Sequence, residues 1–280
     1  MIKINDLKFS YRKSQQLFED LTLNITTGHV YGLLGGNGEG KSTLLKLISG
    51  MIFPQKGSIN CLGSVPSKRE PSFISQIYYI PEEIFPSNES IEKYVQIRSP
   101  FYPNFSHTEL NHYLKEFELD PKKKTSSMSL GQKKKFAIAF ALACNTKLLI
   151  MDEPTNGLDI PSKGQFRRII SQVATEERVI IISTHQVRDL DNIIDSIIIL
   201  ENSKIVINNS IDTISQKLSF RNLTDDDDPL YEERGVFNRK GIVVNSDGEP
   251  SKVDIEMLFN AVVKHPQLIG EILGEAIGNF

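Results

Sequence analysis

The chain has 280 residues, 39% hydrophobic and 24% charged, enough for one large domain or one domain with an appendage. Its 32 Lys and Arg against 35 Asp and Glu give a formal net charge of −3, a poor electrostatic match for nucleic acid. Cys61 and Cys144 are too few for a disulfide framework and are expected as buried reduced thiols. The segment MIKINDLKFSYRK carries Lys3, Asp6 and Lys8 and lacks an apolar h-region, so no secretory signal is expected there. No run approaches the ~18 apolar residues that span a bilayer; the longest, Phe136 to Cys144, suits a buried helix. The expected location is the cytosol, or a membrane surface to which something else holds the chain.

In chain order, Ile2 to Tyr11 and Leu21 to Ile25 alternate apolar and polar residues, as half-buried antiparallel strands do. Val30 to Leu34 is a short apolar strand, followed by glycines and then by a helical run, Lys41 to Ile48. Ile77 to Ile80, Leu148 to Met151 and Val179 to Ser183 are continuous apolar runs, the pattern of parallel strands covered on both faces. Ile197 to Leu200 and Lys204 to Ile207 flank Asn202-Ser203 as a hairpin. Between Glu82 and Ser129 the pattern turns helical, with Ile91, Tyr94 and Val95, then Leu110, Tyr113, Leu114 and Phe117, at helical spacing. A helix is expected over Lys133 to Ala143, and the lysine runs 122–124 and 133–135 read as solvated helix faces. After Ser219 the chain becomes polar, with four aspartates at 225–228 before Pro229. Order returns with a strand over 241–245 and a helix start at Ser251, three residues before Asp254. An apolar helical face follows at Ile255, Leu258, Phe259 and Val262. Strands separated by helices imply an α/β core with its ligand site at the strand carboxyl ends.

The strongest chemical signal is Gly35-Gly36-Asn37-Gly38-Glu39-Gly40-Lys41-Ser42, which fits G-x-x-x-x-G-K-[ST] between a strand and a helix. Glycines let successive N–H groups converge on one anion in front of a helix N-terminus. Lys41 would reach the β- and γ-phosphates, and the Ser42 hydroxyl would bind Mg²⁺. A second signal is the apolar strand ending in Asp152-Glu153, which sets two acids at the edge that carries the phosphate loop. Asp152 would hold Mg²⁺ through water, and Glu153 would orient or deprotonate the attacking water. Ser129-Leu130-Gly131-Gln132 offers a hydroxyl and glycine N–H groups at a positive helix end. His185, just past the strand ending at Ser183, reaches the same edge and could donate to a γ-phosphate.

Taken together these residues resemble the ATP-binding subunit of an ABC transporter, over about residues 1 to 215. Gly35 to Thr43 looks like Walker A, Met128 to Gln132 like the L-S-G-G-Q signature, and Leu148 to Glu153 like Walker B. Gly157-Leu158-Asp159 looks like the D-loop, His185 like the H-switch, and Tyr11 falls where the family stacks an aromatic on adenine. The 21 residues between Gly131 and Asp152 also suit the family.

The resemblance implies an α/β P-loop NTPase core (an ABC ATPase) with an antiparallel β subdomain and a helical part at about 83–145. Residues 216–280 would form a small α+β C-terminal extension. It implies an ATPase using ATP and Mg²⁺. Two cassettes, in a homodimer or a paired cassette, would close head to tail so that each ATP lies between one phosphate loop and the other subunit's signature segment. Separately encoded transmembrane permease subunits would be moved by that cycle, with the chain peripheral on the inner face of the membrane and no nucleic acid partner. The Tyr31 to Gly35 start of the loop leans to exporter-type permeases. The alternative is a soluble ABC ATPase acting as a nucleotide-gated interaction or regulatory factor. Three positions depart from the pattern: Met128, Leu130 in place of a signature glycine, and Glu82 where many members have the Q-loop glutamine. Glu82 keeps an oxygen ligand for Mg²⁺ but adds a negative charge.

Overall fold

The computed structural model describes residues 1–12, 15–84, 87–235 and 238–274. Residues 13–14, 85–86 within the expected helical part, 236–237 within the extension, and 275–280 lie outside the described residues.

The strands are β1 (Ile2–Arg12), β2 (Gln15–Ile25), β3 (Val30–Gly35), β4 (Lys56–Cys61), β5 (Ile77–Ile80) and β6 (Leu148–Asp152), followed by β7 (Val179–Ser183), β8 (Ser196–Glu201), β9 (Lys204–Ser210), β10 (Leu218–Asn222), β11 (Tyr231–Arg234) and β12 (Arg239–Val244). The α-helices are α1 (Lys41–Ile48), α2 (Pro71–Ile74), α3 (Ile91–Arg98), α4 (His107–Glu116), α5 (Leu130–Ala143), α6 (Ile160–Val173), α7 (Ile211–Lys217), α8 (Ile255–Lys264) and α9 (Pro266–Leu273). The central sheet has the order β5-β6-β7-β3-β8-β9, parallel except for β9, which returns from β8 through Asn202 and Ser203, both at positive φ. A second sheet, β2-β1-β4, is antiparallel, and a third, β10-β12-β11, belongs to the C-terminal part.

Within the apolar strands, alternate residues serve different cores. Leu148 and Ile150 join α1 and the antiparallel sheet in one hydrophobic cluster, while Leu149 and Met151 join α5 and α6 in the other. Both faces of β6 are therefore dry, which is why it reads as one unbroken apolar run. The second cluster continues through Leu218, Ile242, Leu258, Val262 and Ile269, so the C-terminal helices pack on the rest of the chain through the expected apolar face. Both thiols are buried; burial pushes Cys61 up to about 12 and Cys144 upward too, which keeps them unreactive.

Several local expectations change. Strand β4 pairs with β1 although its sequence, KGSINC, has little strand character; pairing, not propensity, makes it a strand. The segment after Ser219 is not only linker: it carries β10 and β11, with the aspartates in the connection between them. The cap of α8 is Asp254, whose carboxylate accepts the Met257 N–H at 3.0 Å, whereas the Ser251 hydroxyl accepts the Phe220 N–H at 3.0 Å. Helix α5 begins at Leu130, three residues earlier than expected, directly on the Ser129 cap. Of its three consecutive lysines, Lys134 is 3% exposed rather than solvated, because successive helical residues turn by about 100° and one of three must face inward.

Candidate functional site

Strand register brings the site together. Leu33, Ser183 and Asp152 lie side by side across β3, β7 and β6, and Ile80 of β5 pairs with Met151, so the loops carrying Gly36, His185, Glu153 and Glu82 leave from one edge. There they enclose a cavity of about 490 Å³ lined by Tyr11, Gln16, Leu17, Asn37, Gly38, Gly40, Lys41, Ser42, Thr43, Glu82, Asp152, Glu153 and His185.

The phosphate loop needs its glycines for definable reasons. Gly40, at φ +107°, is the N-cap of α1, and a Cβ there would lie 2.6 Å from the Phe18 ring. A Cβ on Gly35 would lie 2.6 Å from the Leu200 carbonyl oxygen. No side chain caps α1, so its first N–H groups are available to an anion. The Lys41 ammonium donates to the carbonyls of Gly35 (2.8 Å) and Gly36 (2.9 Å). Burial holds its pKa below the ordinary lysine value, opposed by the charges of Glu153, Asp152, Glu39 and Glu82. The Glu39 carboxylate turns away and accepts the Ser203 N–H at 2.9 Å, and its carbonyl accepts from the Ser203 hydroxyl at 3.3 Å, which ties the loop to the β8–β9 turn. Tyr11 is 62% exposed, packs edge-on against Phe9, and its hydroxyl shares a 3.0 Å hydrogen bond with Thr43.

Asp152 is buried and accepts from the Tyr79 hydroxyl at 3.1 Å and from the Ser183 hydroxyl. Burial, then the neighbouring Asp152 charge, raises the Tyr79 pKa, so Tyr79 stays a donor. Glu153 is also buried and adopts φ +47°, a left-handed conformation that side chains rarely take. Its N–H donates to Ser183 O at 3.1 Å. Its carboxylate accepts from Thr184 Oγ1 (3.2 Å) and the His185 N–H (3.0 Å), and lies 2.8 Å from His185 Nδ1. These donors leave the carboxylate directed by the end of β7 rather than by its own strand.

Residues expected at the signature segment lie elsewhere. Ser129 and Gln132 form a reciprocal cap, each side chain accepting the other's N–H at 3.2 Å, and the Gln132 amide oxygen also accepts from Lys123 at 2.9 Å. A Cβ on Gly131 would lie 3.3 Å from the Gly157 carbonyl oxygen, so this segment borders the turn before α6. Asp159 caps α6, accepting the Ser162 N–H at 2.9 Å. None of Ser129, Gly131, Gln132 and Asp159 lines the cavity. Motif spacing does not reveal Tyr79, Ser183, Thr184 and Lys134, which hold the two acids. Nor does it reveal buried Asp189, which accepts from Thr155 Oγ1 (2.7 Å) and pairs with Lys163 (2.7 Å), tying α6 to the segment behind His185. Their only sequence signal is adjacency to a motif.

The ABC transporter family matches residues 18–156, a stretch that holds the phosphate loop and the strand-end acids and stops short of His185. A lantibiotic transport ATP-binding protein, SrtF of Streptococcus pyogenes, is 33% identical over 222 residues, covering 76% of this chain and 92% of the relative. The chain belongs to the ABC transporter ATP-binding family. The ABC transporter ATP-binding protein YtrB of Bacillus subtilis is 28% identical over 234 residues, covering 79% of this chain and 80% of the relative. Among solved structures, an ATP-binding subunit of an ABC transporter superposes with a TM-score of 0.69 at 28% identity, covering 76% of this chain and 91% of that one. The cassette is thus an ATP-binding, ATP-hydrolysing subunit of a membrane transporter with the P-loop ABC ATPase fold, and the alternative of a non-transport interaction factor gains no support from these relatives. Among the described residues, no helix is long and apolar enough to cross a membrane.

Proposed function

We propose that this cassette hydrolyses ATP in a composite site shared between two cassettes and so drives permease subunits carried on separate chains. The observation that supports it most is the separation within one chain: Lys41, Asp152, Glu153 and His185 line the cavity, whereas Ser129 and Gly131 do not. A second copy would supply those groups to the γ-phosphate. Leu130 (55% exposed) and Ile160 (84%), beside the signature segment and the α6 cap, are apolar surface suited to such a contact. In this reading Tyr11 stacks on adenine and the main chain from Gly35 to Gly40, with Lys41 and Thr43, cradles the phosphates. Glu153 positions water, His185 contacts the γ-phosphate, and Asp159 and Gln132 meet the partner.

Mg²⁺ fits the donor set, since the Ser42 hydroxyl and the Asp152 and Glu82 carboxylates offer only oxygen, the ligand this hard cation selects. When bound, it neutralises charge on the β- and γ-phosphates. Among the described residues no group of three or more His, Cys, Asp or Glu converges on a metal position, and Mg²⁺ needs only one or two protein oxygens beside phosphate.

The division into a cassette at 1–215 and an extension at 216–280 is part of the same proposal, with the boundary falling inside α7. Membrane attachment would come through the permease on the cytoplasmic face, and the name of the S. pyogenes relative leans the cargo towards peptides of the lantibiotic kind. The test is affinity purification of the tagged chain from detergent-solubilised membranes of its host. A polytopic membrane protein should co-purify in fixed stoichiometry; recovery only from the soluble fraction, without such a partner, counts against the transporter assembly.

A further expected result concerns Glu82. It is exposed yet lines the cavity with Lys41 and Asp152, where a carboxylate attracts the cation and repels the nucleotide. ATP affinity should therefore depend on Mg²⁺ more steeply in the wild type than in Glu82→Gln. Equilibrium ATP titrations with Mg²⁺ and with EDTA measure this, and equal metal dependence in both proteins would make Glu82 a bystander.

A further inference from the structure

Lys134 differs from the two lysines that flank it in sequence. Its side chain is buried at 3% exposure, and its ammonium donates to the Glu153 carbonyl oxygen at 2.6 Å. A buried ammonium is tolerated only where charge and hydrogen bonding compensate its lost hydration. The acceptor belongs to the residue held at φ +47°. Glu153 is thereby gripped at both ends, its N–H by Ser183 and its carbonyl by Lys134, with a 3.3 Å contact from the Asn156 N–H beside it. The Asn156 N–H closes the turn through Pro154 onto that carbonyl, and the Lys134 ammonium is its second and shorter-range donor.

The charge balance leads to the same residue. Glu82, Asp152 and Glu153 line one cavity, whose cationic lining residue is Lys41. Lys134 lies behind this cavity, and burial lowers its pKa against the opposing charges of Glu82, Glu153 and Asp152, with Glu82 the strongest of the three. A second cation is thus packed behind the acids, on the side from which solvent is excluded.

We propose that Lys134 is a positioning residue for hydrolysis, fixing the main chain of Glu153 in its left-handed conformation and supplying the buried positive charge that lets Glu82 stand in this site. This rests on the reading of Glu153 as the water-positioning carboxylate. Lys134 touches the carbonyl of Glu153, so its loss acts on turnover through that residue rather than on nucleotide binding.

The experiment is a set of steady-state ATPase and equilibrium ATP-binding measurements on the purified full chain. The variants are Lys134→Met, Lys134→Gln, Lys134→Arg, Glu82→Gln, the double variant Lys134→Gln/Glu82→Gln, and Glu153→Gln as control. Lys134→Met, which removes donor and charge, should lower kcat by ~10²-fold while ATP affinity stays within about threefold. Lys134→Gln keeps a donor and should lose about tenfold, and Lys134→Arg should recover much of the rate. Adding Glu82→Gln to Lys134→Gln should raise kcat, whereas the same change in the wild type should not.

Wild-type kcat in Lys134→Met and Lys134→Gln, or an identical effect of Glu82→Gln in both backgrounds, overturns the proposal. Equal loss of kcat and of ATP affinity does so as well, since that marks general disruption of the site. Should Lys134→Met fail to fold by circular dichroism, the Lys134→Gln and Glu82→Gln cycle carries the test unchanged. An inactive Glu153→Gln with wild-type-like Lys134 variants rejects the role of Lys134 alone, while an active Glu153→Gln rejects the reading on which it depends.

Discussion

Glu153→Gln is expected to bind ATP as the wild type does and to hydrolyse it about 10²- to 10⁴-fold more slowly, the usual cost of removing one general base or water-positioning group. The physical grounds are local. The Glu153 carboxylate is buried, faces the cavity that holds Lys41, and is fixed by Thr184 Oγ1 at 3.2 Å and by the His185 N–H at 3.0 Å. Glutamine preserves size and shape, and with its amide oxygen at the Oε1 position it still accepts the His185 N–H while its NH2 donates to the Thr184 hydroxyl, which can turn to accept, so folding and nucleotide binding should survive. What is lost is a negative charge able to polarise water. Pre-steady-state phosphate release together with ATP binding separates the two effects; near-wild-type release in the variant would remove Glu153 from the chemistry.

Ser129→Arg is expected to abolish ATP-dependent pairing of cassettes and, with it, turnover. Ser129 is exposed, its hydroxyl accepts the Gln132 N–H at 3.2 Å, and its own hydrogen remains free to donate to a phosphate brought by a second copy. Arginine at that position puts a long side chain where the phosphate would sit. It also removes an N-cap, which costs about 1 kcal/mol, a loss a chain of this size tolerates and thermal melting detects. Sedimentation in the Glu153→Gln background should give a dimer with ATP and mostly monomer without it, and monomer in both conditions once Ser129→Arg is added. Survival of the ATP-dependent dimer would contradict a site shared across the signature segment.

Much of the cavity lining is legible in residue order alone. The bounds of α1 and of β5 and β7 follow from short-range pattern: a glycine run ahead of an apolar-periodic helix, and apolar runs stopped by polar residues. The phosphate loop, Asp152, Glu153 and His185 are legible because each is placed by its own strand end, and parallel strands of one sheet finish at a common edge. Chain order and the handedness of βαβ connections suffice to bring those ends together.

What the sequence by itself determined is therefore the fold class and the set of groups at the carboxyl edge. Only the tertiary structure decided how those groups are held. Ser183 lies beside Asp152 through strand register, Thr184 and His185 meet Glu153 across 31 and 32 residues of chain, and Tyr79 reaches Asp152 across 73. Lys134 looks like its two neighbours in sequence and is buried because helix α5 passes beneath the end of β6. Strand β4 and the Asp254 cap were likewise settled by a partner strand and by packing. The reason is common to all of them: periodicity and local propensity act over one or two turns of chain, whereas the orientation of a buried carboxylate is set by donors that only folding brings within about 3 Å.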